Sequence, residues 1–350
     1  MDSLRREACD IFFSRVESRG LECDAVEISS PGGDTIYSEK RIRLDEVQRY
    51  LGANPGHPTF KLVHFNVRMY DGNHSAPFQH FTWLPDVAKE LGIEIYMLGN
   101  LVRPISTFQT TKQNIQGGNV LNLYYDHFAI NIIASYSPKT HSTTCLVFTT
   151  GGSRGREQLQ PMTEYAKQNR MLFQNSCFLP LVLLATIVKR GGEYLDKGST
   201  SSFDLNDKEN LEKWEVKRGA LRFAQQAFDL ATDMSNYMRE SLGAAAEQGK
   251  AVPQAIFKSS MEIREAVDTL DLCILPAKRG IEWRMRLNDD YMAHVRHSRT
   301  LSRYKRLTPS GPVPFTVVIV ILWLAITQRQ QIRSVVDASM ERWSAKNAAP

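Results

Sequence analysis

Disulfide chemistry, structural zinc and secretion all require residues that this sequence does not supply. Its five cysteines, Cys9, Cys23, Cys145, Cys177 and Cys273, are odd in number, scattered, and without Cys-x-x-Cys or other ligand spacing. Such a distribution gives no disulfide framework and no zinc site, and it fits a reducing compartment. The N-terminal stretch MDSLRREACDIFF holds only a three-residue apolar patch before Ser14 and Arg15, shorter than the core of a secretory signal. A strong excess of one charge is also missing. The 43 basic residues face 38 acidic ones, a net +5 that leaves no electrostatic footprint for nucleic acid. Expected cofactors are none.

Catalytic and ligand-binding signatures are equally thin. Gly151-Gly152-Ser153-Arg154-Gly155 lacks the Gly-Lys-Ser/Thr ending of a phosphate loop and reads as a surface turn. Asp126 beside His127 could orient a base, but neighbouring strand residues point to opposite faces. His74 and His80 have no matched carboxylate or cysteine, and His294 and His297 are three apart among arginines. Cys145 with His127 or His141 could form a nucleophile and base, yet Cys145 lies in an apolar strand, where burial makes a thiol inert. Asp204, Asp207 and Glu209 could ligate a hard cation, and helix-start dipole and capping effects explain them equally well. The sequence therefore names no catalytic residue and no metal ligand.

What is present is 350 residues of ordinary globular composition, 42% hydrophobic and 23% charged, long enough for two structural regions. Between residues 60 and 150, apolar side chains alternate at Val63, Phe65, Val67 and Met69, the period of a half-buried strand. Further strands are expected at Ile93–Leu98, Val120–Tyr125, Phe128–Tyr136 and Thr144–Phe148, with a short helix from Pro85 to Leu91 closed by Gly92. Helices follow over Thr163–Gln168 and Phe178–Tyr194, with Pro180 in a first turn.

Two stripes then repeat at steps of three and four. One runs through Leu221, Ala224, Phe228, Ala231, Ser235, Met238 and Leu242, extended upstream by Leu211 and Trp214. The other runs through Ile256, Ser260, Ile263, Val267, Leu270, Ile274, Ala277 and Ile281. Their similar lengths and the break at 243–253 predict an antiparallel hairpin of coiled helices, kinked at Pro276. An ordinary helical bundle would carry the same pattern. The fold class expected is α+β: a 1–40 N-terminal segment, a mixed α/β domain over 41–160, and a helical bundle or stalk over 161–306.

From Leu307 to Gln328 there is no charged residue, and Phe315–Thr327 (FTVVIVILWLAIT) is almost wholly apolar. A helix of that full stretch would cross the roughly 30 Å hydrocarbon core, although Pro309, Gly311, Pro312 and Pro314 disfavour helix before Phe315. A buried core element is the competing reading. Basic flanks favour the membrane: Arg299, Arg303, Lys305 and Arg306 precede the segment, and Arg329 and Arg333 follow it. The expectation is a transmembrane segment over 313–328, a large cytoplasmic domain and a polar tail over 329–350. Membrane or pore-lining candidates are Thr316, Ile319, Leu322, Trp323 and Thr327.

An α/β domain closed by TTCLVF at 143–148, the helix FLPLVLLATIVKRGGEYL at 178–195, and a stalk ending in RYKRL before PFTVVIVILWLAI together resemble the CorA family of divalent-cation channels. The likeness is to its divergent members in filamentous fungi and covers roughly residues 40–327. The resemblance implies a homo-oligomeric membrane protein that associates through its stalk helices, with Mg²⁺ as the transported or regulatory ion. No Gly-Met-Asn tripeptide, the family's pore-loop motif, occurs in the chain, so no selectivity residue is carried over. A membrane-anchored, non-transporting interaction protein is the alternative, and a soluble enzyme built on residues 60–150 is a further one.

Overall fold

The structure is a computed structural model. It describes residues 16–18, 21–53, 56–69, 81, 83–93, 97, 107–115, 118–127, 130–150, 154–197, 208–247 and 254–307. The chain divides into two compact units, Met1–Asn288 and Asp289–Pro350. In the second unit the described residues, Asp289–Leu307, are helical.

Among its described residues the first unit is built on one mixed sheet of eight strands: β1 Val16–Ser18, β2 Glu22–Ser29, β3 Ile36–Arg43, β4 Thr59–Met69, β5 Thr107–Ile115, β6 Gly118–His127, β7 Ile130–Ser137 and β8 Ser142–Thr150. Their order is β3-β2-β4-β8-β7-β6-β5, with β1 pairing the far end of β4. Every pairing is antiparallel except β4 with β8, which run parallel with Phe60 beside Thr143 and Val67 beside Thr150. β1, β2 and most of β3 lie before residue 41, so the sheet starts earlier than the α/β region read from the sequence.

Among the described residues six α-helices accompany the sheet: α1 Val47–Gly52, α2 Leu84–Leu91, α3 Arg154–Gln168, α4 Phe178–Lys197, α5 Lys208–Glu247 and α6 Gln254–Leu307. α2 ends as its sequence directs, because Gly92 adopts φ 70° and its N–H reaches the carbonyls of Ala88 and Lys89. α3 begins nine residues ahead of the expected Thr163 and carries Pro161 inside it. The expected strand at Ile93–Leu98 is not formed at its described residues: Ile93 follows the α2 cap, its N–H bonded to Ala88, and Met97 is helical. Residues 94–96 and 98 lie outside the described set.

The sheet is covered on both faces. On one, Phe60, Leu62, Cys145, Val147 and Ile132 pack against α3, α4 and the α5/α6 pair, with Phe60 edge-on to Phe178 at 5.2 Å. On the other, Val63, Phe65, Leu146 and Phe148 pack against α1 and α2, with the Phe65 and Phe148 rings stacked at 5.1 Å. This corrects the reading of β4 as half-buried. Both of its faces are covered, so even Lys61 and His64 are buried.

Candidate functional site

Buried polar groups come first, since a strand covered on both faces must satisfy them locally. Lys61 donates to the carbonyls of Tyr50 (2.8 Å) and Ala53 (2.5 Å), which end α1, and its ammonium lies 5.1 Å from the Tyr50 ring centroid. Burial lowers the Lys61 pKa, with Glu27 opposing the shift. On the other face His64 has Nε2 2.8 Å from Thr149 Oγ1 and Nδ1 3.6 Å from Asp24 Oδ2. Asp24 is in turn 3.6 Å from Arg41 Nε.

Asp24, His64 and Thr149 thus stand in the order of an acid, a base and a hydroxyl. Thr149 is 0% exposed, which leaves no approach for a substrate carbon to its oxygen. The trio therefore ties three strands together, with His64 buried and Asp24 partly exposed at the rim. Asp24 also edges a groove of about 490 Å³ between β2, β3 and α3, with Glu39, Arg41, Glu157, Gln160 and Thr163 among its lining. Its charges are mixed, and Lys40 there is engaged by Glu27 at 3.1 Å. Among the described residues no group of three or more His, Cys, Asp and Glu could hold a metal ion.

The candidates read from the sequence fall as follows. Cys145 is wholly buried and its pKa is raised by that burial, which removes the thiolate a nucleophile needs. His141 sits in the β7–β8 turn with positive φ, where its Nδ1 is 3.1 Å from the Tyr136 hydroxyl. His74, His80, Asp204, Asp207 and Gly151–Ser153 lie outside the described residues. So do the side chains of Asp126 and His127, and with them Thr316, Ile319, Leu322, Trp323 and Thr327. The backbone of Arg299, Arg303, Lys305 and Arg306 forms the last turns of α6. No described helix is long and apolar enough to cross a membrane.

What the structure does bring together is the α5/α6 hairpin. Ala224, Phe228, Ala231, Ser235, Met238 and Leu242 of α5 are buried, as are Ile263, Val267, Ile274 and Ile281 of α6, so both expected stripes face the core. Polar pairs set the antiparallel register. Lys278 meets Asp229 at 2.6 Å, Arg239 meets Asp268 at 2.8 Å and also Asp271, and the Ser235 hydroxyl donates to Asp271 at 2.8 Å. The hydrogen bond to Asp268, with help from Asp271, holds the Arg239 pKa above its ordinary value. Asn175 ties the N-terminal turns of α6 to the domain by donating to Ser259 (3.3 Å) and Ser260 (2.9 Å).

A second feature of α6 has no counterpart in the sequence reading. Away from its core stripe it exposes Phe257, Met261, Leu272, Leu275, Trp283 and Leu287. The signal was available in the sequence: these positions recur on the helix face roughly opposite Ile263, Val267, Ile274 and Ile281.

No family model and no curated protein matches the chain. Among solved structures, the soluble domain of CorA from Methanocaldococcus jannaschii is similar at 12% identity and TM-score 0.43, over 77% of this chain and 95% of that one. The ZntB cytoplasmic domain from Vibrio parahaemolyticus is similar at 10% identity and TM-score 0.40, over 79% and 97%. At those identities no residue role transfers to a position here.

Proposed function

We propose that this chain is a CorA-like membrane protein, with the α/β domain on the cytoplasmic side and the α5/α6 hairpin as its stalk. The observation that carries this reading is α6 itself. It continues as helix to Leu307, which brings Arg299, Arg303, Lys305 and Arg306 to the edge of the uncharged Leu307–Gln328 segment. A basic helix end abutting an apolar stretch suits contact with anionic head groups. The proposal assigns the chain no enzymatic activity, makes copies associate through the stalk, and places the span at 313–328.

Divalent-cation transport, with Mg²⁺ as the ion, is the activity this reading carries. Its test is Mg²⁺ uptake in cells deprived of their own transporter. Rescue by the expressed chain supports it, and failure at verified membrane expression defeats it. The exposed apolar face of α6 favours a second reading, a membrane-anchored protein that binds a partner through the stalk without transporting ions. That reading expects membrane retention without uptake.

A further inference from the structure

Polar groups buried on the α1/α2 face of the sheet are satisfied unevenly. One cross-strand row runs from Lys61 on β4 through Thr144 and Ser135 to Asn122 on β6 and Thr111 on β5. Lys61, at one end, is held by the carbonyls that close α1. At the other end Asn122 is 0% exposed, and neither its amide nitrogen nor its amide oxygen finds a hydrogen-bond partner among the described residues. The Thr111 hydroxyl directly across from it finds none either, and Asn131 on β7 adds a further unpaired buried oxygen on the same face. With the sheet closed these groups have left water without replacement bonds, a cost borne by the β5–β6 hairpin and its seam with β7. That hairpin ends the sheet, so β7 is its one strand neighbour among the described residues. Its opposite face carries Phe108, edge-on to Tyr237 of α5 at 5.6 Å, and Leu123 and Tyr125 in the core shared with α5 and α6.

We infer that the β5–β6 hairpin is a flap: it opens from β7 as a unit while the rest of the sheet stays paired, and α5 senses its position through Phe108 and Tyr237. Opening gives the Asn122 amide and the Thr111 hydroxyl water to bond, and it keeps the β5–β6 ladder intact. Closing buries both groups again and seats Phe108 on α5. Apolar docking on one face opposes uncompensated polar burial on the other, which narrows the free-energy gap between the two arrangements. The flap requires only the fold of the first unit, so it stands apart from the membrane span proposed above.

Hydrogen exchange of the full chain in detergent is the test. β6 has a strand on each side, as β8 has, so a rigid sheet would protect the two alike. The flap predicts that the amides of Leu121–Tyr125 exchange at least about tenfold faster than those of Leu146–Phe148. Asn122→Leu removes the unpaired amide and keeps the branched shape, so it should slow β6 at least about tenfold and leave β8 unchanged. Exchange in α5 around Tyr237 should slow with it, because the closed flap is seated there. Equal protection of β6 and β8 in the unaltered chain would overturn the flap. Slower β6 with α5 unchanged would overturn the link to the helix. Thr111→Val, isosteric and at a half-buried site, is the second variant, for use where Asn122→Leu does not fold. No slowing of β6 in that variant would likewise overturn the inference.

Discussion

Gly191 stands at a close approach of α4 to α5, since a Cβ there would lie 2.3 Å from Cζ of Phe228. Phe228 is 1% exposed and has no room to retreat, so Gly191→Ala is expected to cost about 1–3 kcal/mol. At the neighbouring Gly192 an added Cβ meets nothing, and Gly192→Ala should stabilise the helix by about 0.5–1 kcal/mol. Thermal melts of the two variants should move in opposite directions. Buried acids give a second expectation. Burial first, and then neighbouring Asp24 and Glu22, push the Cys23 thiol up to about 12, and burial likewise holds Cys177 and Tyr237 at about 12. Their unfolded counterparts lose protons near pH 9–10, so between there and pH 12 the unfolded chain binds fewer protons and stability falls as pH rises. Urea midpoints measured from pH 8 to 11 should decline, and the decline should be shallower in Cys177→Ala.

At the level of elements, the hairpin separates apolar packing from surface charge. Ile263 and Val267 are fully buried against α5, and Ile263→Ala should cost about 2–5 kcal/mol. Arg239→Ala removes two ion pairs that stay in contact with water and should cost less than about 1 kcal/mol. Denaturant titrations of the two variants will show the contrast. Both stripes were legible in the sequence because each is a continuous 3.6-period pattern. So was α2, closed by a glycine that takes the left-handed conformation. β3 was not, because its exposed Ser38, Glu39 and Lys40 interrupt any apolar alternation and its strand character comes from pairing with β2. The Asp24–His64–Thr149 network was illegible for a related reason: its members come from three strands, and only the sheet order brings them together.

For the whole molecule, the decisive question is which solvent Phe315–Thr327 meets. On the proposed reading the full chain stays in the membrane pellet after carbonate washing, and Ile319→Arg with Leu322→Arg releases it, as charge at the centre of a span is costly. Release of the unaltered chain would remove the proposed span. The two families of strands bear on how this chain is made. β2, β3 and β4 form one local antiparallel group, and β5 to β8 form another. Each can assemble as it leaves the ribosome, because its partners are near in sequence. The parallel seam between β4 and β8 joins Phe60 to Thr143 and waits until the last strand has emerged. Until then the apolar edge of β4 is open to other chains. Slower synthesis or added chaperone should therefore raise the yield of folded protein.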